Sequence, residues 1–158
     1  MELNYDSLAD LIKAAKESKC RLSQLVLTQQ AEQMELDPEE VYKKMEQNYQ
    51  VMAACILPGC DPDLKSTSGL TGGDAAKMRS AVKEGRNLTG SLLGGALYRA
   101  LAVSELNASM GRIVAAPTAG SCGILPAAVL TMQEERSLSQ RECVMSLFTA
   151  SAVGMVIA

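Results

Sequence analysis

The sequence is poor in the residues that most often carry acid–base and aromatic chemistry. It has no histidine and no tryptophan, and Phe148 is its only phenylalanine. Without histidine, the side chain that titrates nearest neutral pH and a frequent zinc ligand, chemistry in this chain must use Lys, Asp, Glu, Cys or Tyr. With aromatics at 3%, the core must consist of Leu, Ala, Val, Ile and Met, which favours closely packed helices over a sandwich or barrel.

The sequence also lacks a strong charge of one sign and a long hydrophobic run. The formal net charge is −3, with no basic patch interleaved with aromatics, so we expect no nucleic-acid partner. The longest apolar stretch, residues 144–158, is interrupted by Ser146, Thr149 and Ser151. Because a membrane-spanning helix needs about 20 apolar residues, we expect a buried helix here and no membrane association.

The cysteine content predicts a compartment rather than a disulfide framework. The chain has five cysteines, an odd number, and its first residues are polar and acidic instead of resembling a signal peptide. We therefore expect a cytoplasmic location with free or metal-bound thiols. The cysteines are Cys20, Cys55, Cys60, Cys122 and Cys143.

Helical periodicity and start and stop signals predict an all-α fold, a compact multi-helix domain with Gly/Ser/Thr-rich active-site loops. We find no convincing strand alternation, and we expect residues 1–158 to form a single helical domain. One predicted helix is rich in Gly and Ala, which indicates close contact with a neighbouring helix. The predicted helices cover residues 6–19, 23–34, 37–56, 74–84, 88–109 and 122–136, with a last helix capped by Ser137 or Ser139, and residues 58–73 and 111–120 are predicted loops.

Cys122 lies in the segment of greatest chemical interest. The run from Pro117 to Gly123 puts it in a turn just before a predicted helix. The helix dipole and unpaired N–H groups at such a position favour the thiolate, and the hydroxyls of Thr118 and Ser121 complete a nest suited to an anion or a cluster. The alternative is a small buried core residue, since free cysteines are often buried.

A second segment, Lys65 to Asp74, combines several hydroxyls and three glycines with a following helix. This composition fits an anion cradle that would hold a substrate carboxylate. The alternative is a solvated loop in which Thr71 caps the helix that begins at Asp74. Asn107, at the end of the small-residue helix, could either cap it or bind substrate. The remaining four cysteines fit core positions better than a metal site.

These segments together resemble the α subunit, or catalytic domain, of the iron–sulfur-dependent L-serine dehydratases. The matching runs are Ser68–Asp74, Glu105–Ala108 and Gly111–Pro126. The resemblance implies an all-helical catalytic domain that holds a [4Fe–4S] cluster and converts L-serine to pyruvate and ammonia. It also implies that an open iron position acts as a Lewis acid on the serine hydroxyl while a base removes the α proton. The sequence does not identify that base; Lys65 is one candidate, and the alternative is that Lys65 is a solvated residue beside the loop.

The resemblance assigns Cys122 as the first cluster ligand, with the remaining ligands beyond residue 158. We therefore expect this chain to be the N-terminal part of a longer α subunit and to be inactive alone. Its expected partners are L-serine, the rest of the α subunit, and a β subunit or regulatory domain. The expected substrate-binding residues are Ser66, Thr67, Ser68, Gly69, Thr71, Gly72, Gly73, Asn107, Thr118, Ala119, Gly120 and Ser121.

Three other functions stay open at this stage. A cluster-dependent lyase could act on another amino acid, such as cysteine. A pyridoxal phosphate dehydratase would need a Schiff-base lysine with a phosphate cradle, and no convincing pair is present. The chain could also be a helical scaffold or assembly module that binds through Ala, Gly and Met surfaces, which its apolar last residues favour.

Overall fold

A computed structural model describes residues 5–157 of the chain, and it confirms the predicted all-α fold class. The described residues form eight α-helices and one 3₁₀ turn, without a strand. No helix among them is long and apolar enough to cross a membrane. The helices are α1 (Leu8–Glu17), α2 (Leu22–Met34), α3 (Pro38–Ala54), α4 (Ile56–Gly59), α5 (Asp74–Lys83), α6 (Gly90–Ala108), α7 (Ile124–Arg136) and α8 (Gln140–Ile157), and the 3₁₀ turn is Ala119–Ser121.

Local capping explains where several helices begin. The hydroxyl of Ser7 accepts a hydrogen bond from the amide of Asp10 at the start of α1. At α8 the amide of Ser139 donates to Glu142 Oε2 at 2.8 Å, and the amide of Glu142 donates to Ser139 Oγ at 3.3 Å. This reciprocal pair is a capping box, and it decides between the two predicted caps in favour of Ser139.

Several helix boundaries differ by one or two residues from the sequence prediction, and two of these differences have a structural explanation. The expected helix over residues 37–56 ends at Ala54, and a separate single turn, α4, contains the Pro58–Gly59 pair that we predicted to be loop. The helix predicted from Cys122 begins at Ile124 instead, because Thr118 first caps a 3₁₀ turn. Pro126 lies in the first turn of α7. Proline is tolerated there because an N–H at that position has no partner within the helix.

The contacts divide the chain into two compact units, with the boundaries after residues 47 and 138. The first unit comprises α1, α2, the first part of α3, and α8, with α2 packed on α8. Whether residues 1–158 form a single domain, as expected from the sequence, stays a prediction. The first unit's buried apolar side chains include Leu25, Val26, Leu27, Ala31, Val41, Tyr42, Val144, Leu147, Phe148 and Ala152.

The second unit is built around α6, against which α4, α5 and α7 pack. Glycine allows two of these close approaches. A Cβ at Gly59 would lie 2.1 Å from the carbonyl oxygen of Ala102, and one at Gly123 would lie 2.6 Å from that of Ala100. The atoms met on α6 belong to Ala100 and Ala102, so two of the small residues predicted for this helix lie where neighbouring segments approach it.

A buried arginine adds a polar connection between α6 and α7. Arg99 is only 8% exposed, and its Nη1 donates to Gly95 O at 3.1 Å and to Thr131 Oγ1 at 3.2 Å. Its Nη2 forms an ion pair with Glu134. Because a buried guanidinium is costly unless its donors are satisfied, these partners stabilise the α6–α7 contact that carries the site described next.

Candidate active site

The first candidate loop, residues 65–73, is held by hydrogen bonds within itself. The amide of Ser66 donates to Thr71 O at 2.9 Å, and the amide of Thr71 donates to Ser66 Oγ at 3.2 Å. The amide of Gly69 donates to Ser66 O at 2.9 Å, which closes a tight turn. Thr67, Ser68 and Thr71 are exposed on the outside of this loop. The loop therefore presents several hydroxyls on an ordered backbone.

Glycine is required where the first loop closes. Gly72 has φ +140°, and a Cβ there would lie 2.0 Å from the carbonyl oxygen of Leu64. Gly73 follows with φ +84°, in the left-handed region, and precedes α5 as its N-cap. L residues with a side chain rarely adopt these angles. The Gly72–Gly73 pair therefore allows the end of the loop to lie against Leu64, just before the loop begins, and then to enter α5.

The amide groups at the start of α5 are already paired with a side chain from α6. Glu105 is 7% exposed, and its carboxylate accepts hydrogen bonds from the amides of Gly73 (2.9 Å), Asp74 (2.8 Å) and Ala75 (3.2 Å). These three amides are therefore occupied, so an anion held by this loop would use its hydroxyls and its exposed backbone. The alternative in which Thr71 caps the helix does not hold, because the N-cap is Gly73.

The second candidate loop, residues 111–121, ends in a capped 3₁₀ turn. The amide of Ser121 donates to Thr118 Oγ1 and the amide of Thr118 donates to Ser121 Oγ, both at 3.3 Å. Ser121 Oγ also donates to Ala116 O at 3.0 Å. Thr118, Ala119 and Gly120 are exposed. This loop, like the first, presents polar groups from a backbone that its own side chains fix.

The last turn of α6 brings the two loops together. The amide of Thr67 in the first loop donates to Ala108 O at 3.0 Å. The side-chain amide of Asn107 donates to Ala119 O in the second loop at 3.1 Å. Consecutive residues of α6 thus each bind one loop, so most of the predicted substrate-binding residues lie around one end of this helix. Asn107 contributes by holding the second loop.

Cys122 follows the 3₁₀ turn and is fully buried. It packs with Cys55 and Val103 in an apolar cluster. The Cys55 thiol lies within hydrogen-bond distance of two carbonyl oxygens, Val51 O at 3.0 Å and Arg112 O at 3.2 Å, and can donate its one hydrogen to either. The structure therefore places the thiol of Cys55 beside Cys122. The sequence had predicted only a core position for Cys55.

Burial determines the acidity of these thiols. It raises the pKa of Cys122, and a hydrogen bond from the residue's own backbone offsets only part of this effect. Burial also raises the pKa of Cys55, and negative charge on Cys122 would raise it further. In the chain by itself, burial of Cys122 therefore opposes the thiolate that its position before a helix was expected to favour.

The described residues alone do not fit a complete iron–sulfur cluster site. A cluster needs several ligands held at once, normally cysteine thiolates, and no group of three Cys, Asp or Glu side chains converges anywhere in residues 5–157. Cys60 and Cys143 are buried in other parts of the core, and Cys20 is half-buried. Cys122 directly follows the Ala119–Ser121 turn and packs with Cys55, whereas Cys60 packs with Ala75 and Ala102.

Two further features lie apart from these contacts. Lys65, the candidate base, is exposed at the start of the first loop. A cavity of about 600 Å³ opens in the first unit between the beginnings of α2 and α8, and none of the loop residues line it. Its lining includes Arg21, Arg141 and Glu142. The cavity therefore provides no support for the predicted loop site.

Glu105 is the functional candidate that sequence analysis missed. It lies in a matching run of the resemblance, but no role was predicted for it. Two signals in the sequence pointed to it. Glu105 is the one acidic residue in the small-residue helix, and the Gly72–Gly73 pair offers no side chain to cap the helix that follows. Connecting these two signals requires the tertiary structure.

The segments described above all lie within a region shared with a known family. A family model described as serine dehydratase alpha chain matches residues 17–158. The chain belongs to the serine dehydratase alpha chain family. The match includes both candidate loops, the last turn of α6 and Cys122, so the resemblance predicted from the sequence is confirmed.

Individual relatives agree with this family assignment. A probable L-serine dehydratase alpha chain of Bacillus subtilis (strain 168) is 35% identical over 154 residues, 98% of this chain and 51% of the relative. The L-serine dehydratase alpha chain of Peptoniphilus asaccharolyticus is 30% identical over 94% of this chain and 51% of its own length. L-serine dehydratase 2 of Escherichia coli (strain K12) is 32% identical over 95% of this chain.

The chain spans about half the length of the two alpha chains and 34% of the Escherichia coli protein. No solved structure matches it.

Proposed function

We propose that this chain forms part of an L-serine dehydratase, an ammonia-lyase that converts L-serine to pyruvate and ammonia. The observation that carries the proposal is the family match over residues 17–158, together with relatives named L-serine dehydratase that align over nearly the whole chain. The geometry supports it, because the matched region contains two hydroxyl-rich loops joined at one end of α6.

In this proposal the two loops bind the substrate. L-serine carries a carboxylate, an ammonium and a hydroxyl group, so it needs both donors and acceptors. The hydroxyls of Ser68 and Thr71 in the first loop, and of Thr118 in the second, supply both, and they are exposed on ordered backbones. With the α5 amides paired to Glu105, these hydroxyls and the exposed loop backbone are the proposed substrate-binding groups. The general base stays unassigned between Lys65 and groups outside this chain.

We also assign Cys122 as one ligand of a [4Fe–4S] cluster. The assignment rests on the family resemblance and on the position of Cys122 next to the Ala119–Ser121 turn. The described residues supply too few ligands by themselves, so the remaining ligands must come from other polypeptide, in the rest of the alpha chain. The alpha chain name of the relatives supports a β subunit or regulatory domain as a further partner. Free thiols at all five cysteines are consistent with a reducing cytoplasm.

A turnover assay tests the proposed reaction and its main alternative. The enzyme that contains this chain, purified without oxygen, should release pyruvate and ammonia from L-serine in equal amounts. Its kcat/KM for L-serine should exceed that for L-cysteine, because hydroxyl-lined loops pair better with a hydroxyl than with a thiol. Preference for L-cysteine would favour the lyase for that amino acid. Absence of turnover on either would favour the scaffold function.

A further inference from the structure

Glu105 occupies an unusual place among the polar side chains of the chain. It is one of four buried polar or charged residues that the structure describes, together with Gln29, Arg99 and Thr131. A buried carboxylate is costly unless hydrogen bonds and charge compensate it. Three backbone amides and the positive end of the α5 dipole provide that compensation.

The cap that Glu105 provides is remote in sequence. Helix N-caps are usually local Ser, Thr, Asp or Asn side chains. At α5 the N-cap is Gly73 and makes no side-chain hydrogen bond. A side chain is disfavoured there, because Gly73 has a left-handed backbone (φ +84°) and a Cβ would lie 3.0 Å from the carbonyl oxygen of Pro62. The capping oxygen therefore comes from α6, 32 residues along the chain from Gly73.

The position of Glu105 on α6 connects this cap to the rest of the site. Asn107 holds the second loop and Ala108 holds the first, both within one turn of Glu105. The first loop is thus attached to α6 at both of its ends, through Thr67 and through Gly73. A shift of either attachment would change where the loop hydroxyls lie relative to the second loop.

We propose that Glu105 is a positioning residue of the active site, which fixes the first loop against α6 by binding the first amides of α5. The proposal rests on the proposed function, since it assumes that the first loop binds L-serine. Glu105 itself does not touch the substrate in this proposal. Its removal should loosen the first loop while leaving the second loop and the α6–α7 contact in place.

Two variants and one matched control test the proposal. Glu105→Gln keeps the size of the side chain but replaces one acceptor oxygen with an NH₂ group, which cannot accept from an amide. Glu105→Asp keeps the charge but shortens the reach by one methylene. Glu135→Gln removes a carboxylate from an exposed position on α7, in the same unit. Hydrogen–deuterium exchange on the chain and steady-state kinetics on the enzyme that contains it are measured for all three.

We expect the amides of Gly73, Asp74 and Ala75 to exchange at least about tenfold faster in Glu105→Gln, since hydrogen bonds to a charged acceptor contribute most to protection. Exchange in the middle of α6 should stay unchanged. KM for L-serine should rise about tenfold, with a smaller change in kcat, because the loss concerns the placement of a binding loop. Glu105→Asp should lie between wild type and Glu105→Gln, and Glu135→Gln should match wild type.

Several results would overturn the proposal. Unchanged exchange at the start of α5 would show that the Glu105 contacts do not hold the loop. Faster exchange throughout α6 would indicate a general structural role. Local loosening with unchanged KM would separate the loop from substrate binding while the proposed function stands. If the wild-type enzyme released no pyruvate from L-serine, the proposed function itself would fail, and with it the role of Glu105 in it.

Discussion

At the first loop, different residues provide the backbone turn and the hydrogen bonds that cap α5. The glycines at 72 and 73 supply backbone angles and space that other residues lack, and Glu105 supplies the cap that glycine cannot. At the second loop, Thr118 and Ser121 cap the turn themselves. The hydroxyls in the candidate site therefore have structural hydrogen bonds as well as a proposed role toward substrate.

The capping box of α8 gives a residue-scale prediction about pH. Hydrogen bonds from the hydroxyl and backbone amide of Ser139 lower the pKa of Glu142. Because the folded-state pKa lies below the unfolded one, the stabilisation is present above the unfolded value and is lost as pH falls through the folded value. The free energy of unfolding should therefore drop as pH falls below the ordinary glutamate pKa of about 4.3, and the drop should be smaller in Glu142→Gln.

Urea unfolding at a series of pH values checks this prediction. Glu135→Gln serves as the control, because that carboxylate is exposed and makes no capping contact in the described structure. The control should keep the pH dependence of the wild type. An identical pH dependence in Glu142→Gln and wild type would show that the capping box does not contribute to stability.

At the scale of elements, α6 organises the second unit, and its contacts depend on residues that are small. Helical periodicity and caps predicted the long helices well, because these signals are local. They did not predict α4, since Pro58–Gly59 reads as a stop, whereas Gly59 continues the turn and packs against Ala102. The start of α7 was misplaced because the capping of the 3₁₀ turn by Thr118 competes with helix formation.

A pair of glycine substitutions tests how closely α4 and α6 pack. Gly59→Ala should lower the free energy of unfolding by about 1–3 kcal/mol, because the added Cβ would overlap the Ala102 carbonyl oxygen. Gly154→Ala in α8 should instead raise it by about 0.5–1 kcal/mol, since nothing lies within 4 Å of that Cβ and alanine favours helix. Equal effects of the two substitutions in thermal unfolding would contradict the close packing.

At the scale of the whole molecule, the candidate site falls entirely within the second unit, residues 48–138. The sequence predicted both loops and Cys122 as candidates, but it could not predict that Glu105 would pair with the start of α5 or that Cys55 would lie beside Cys122. These contacts join residues distant in sequence, and local patterns carry no information about them. The three relatives named above are at least about twice as long as this chain, and in the proposed function the groups that the site still needs come from other polypeptide.

The most direct test compares two buried cysteines in the enzyme that contains this chain, purified and assayed without oxygen. The account predicts that Cys122→Ser loses bound iron and sulfide and no longer forms pyruvate from L-serine. Cys60→Ser, which alters a buried thiol in a different cluster of the same unit, should keep both. If Cys122→Ser retained wild-type iron and deaminated L-serine at the wild-type rate, the assignment of Cys122 and the function proposed for this site would be contradicted.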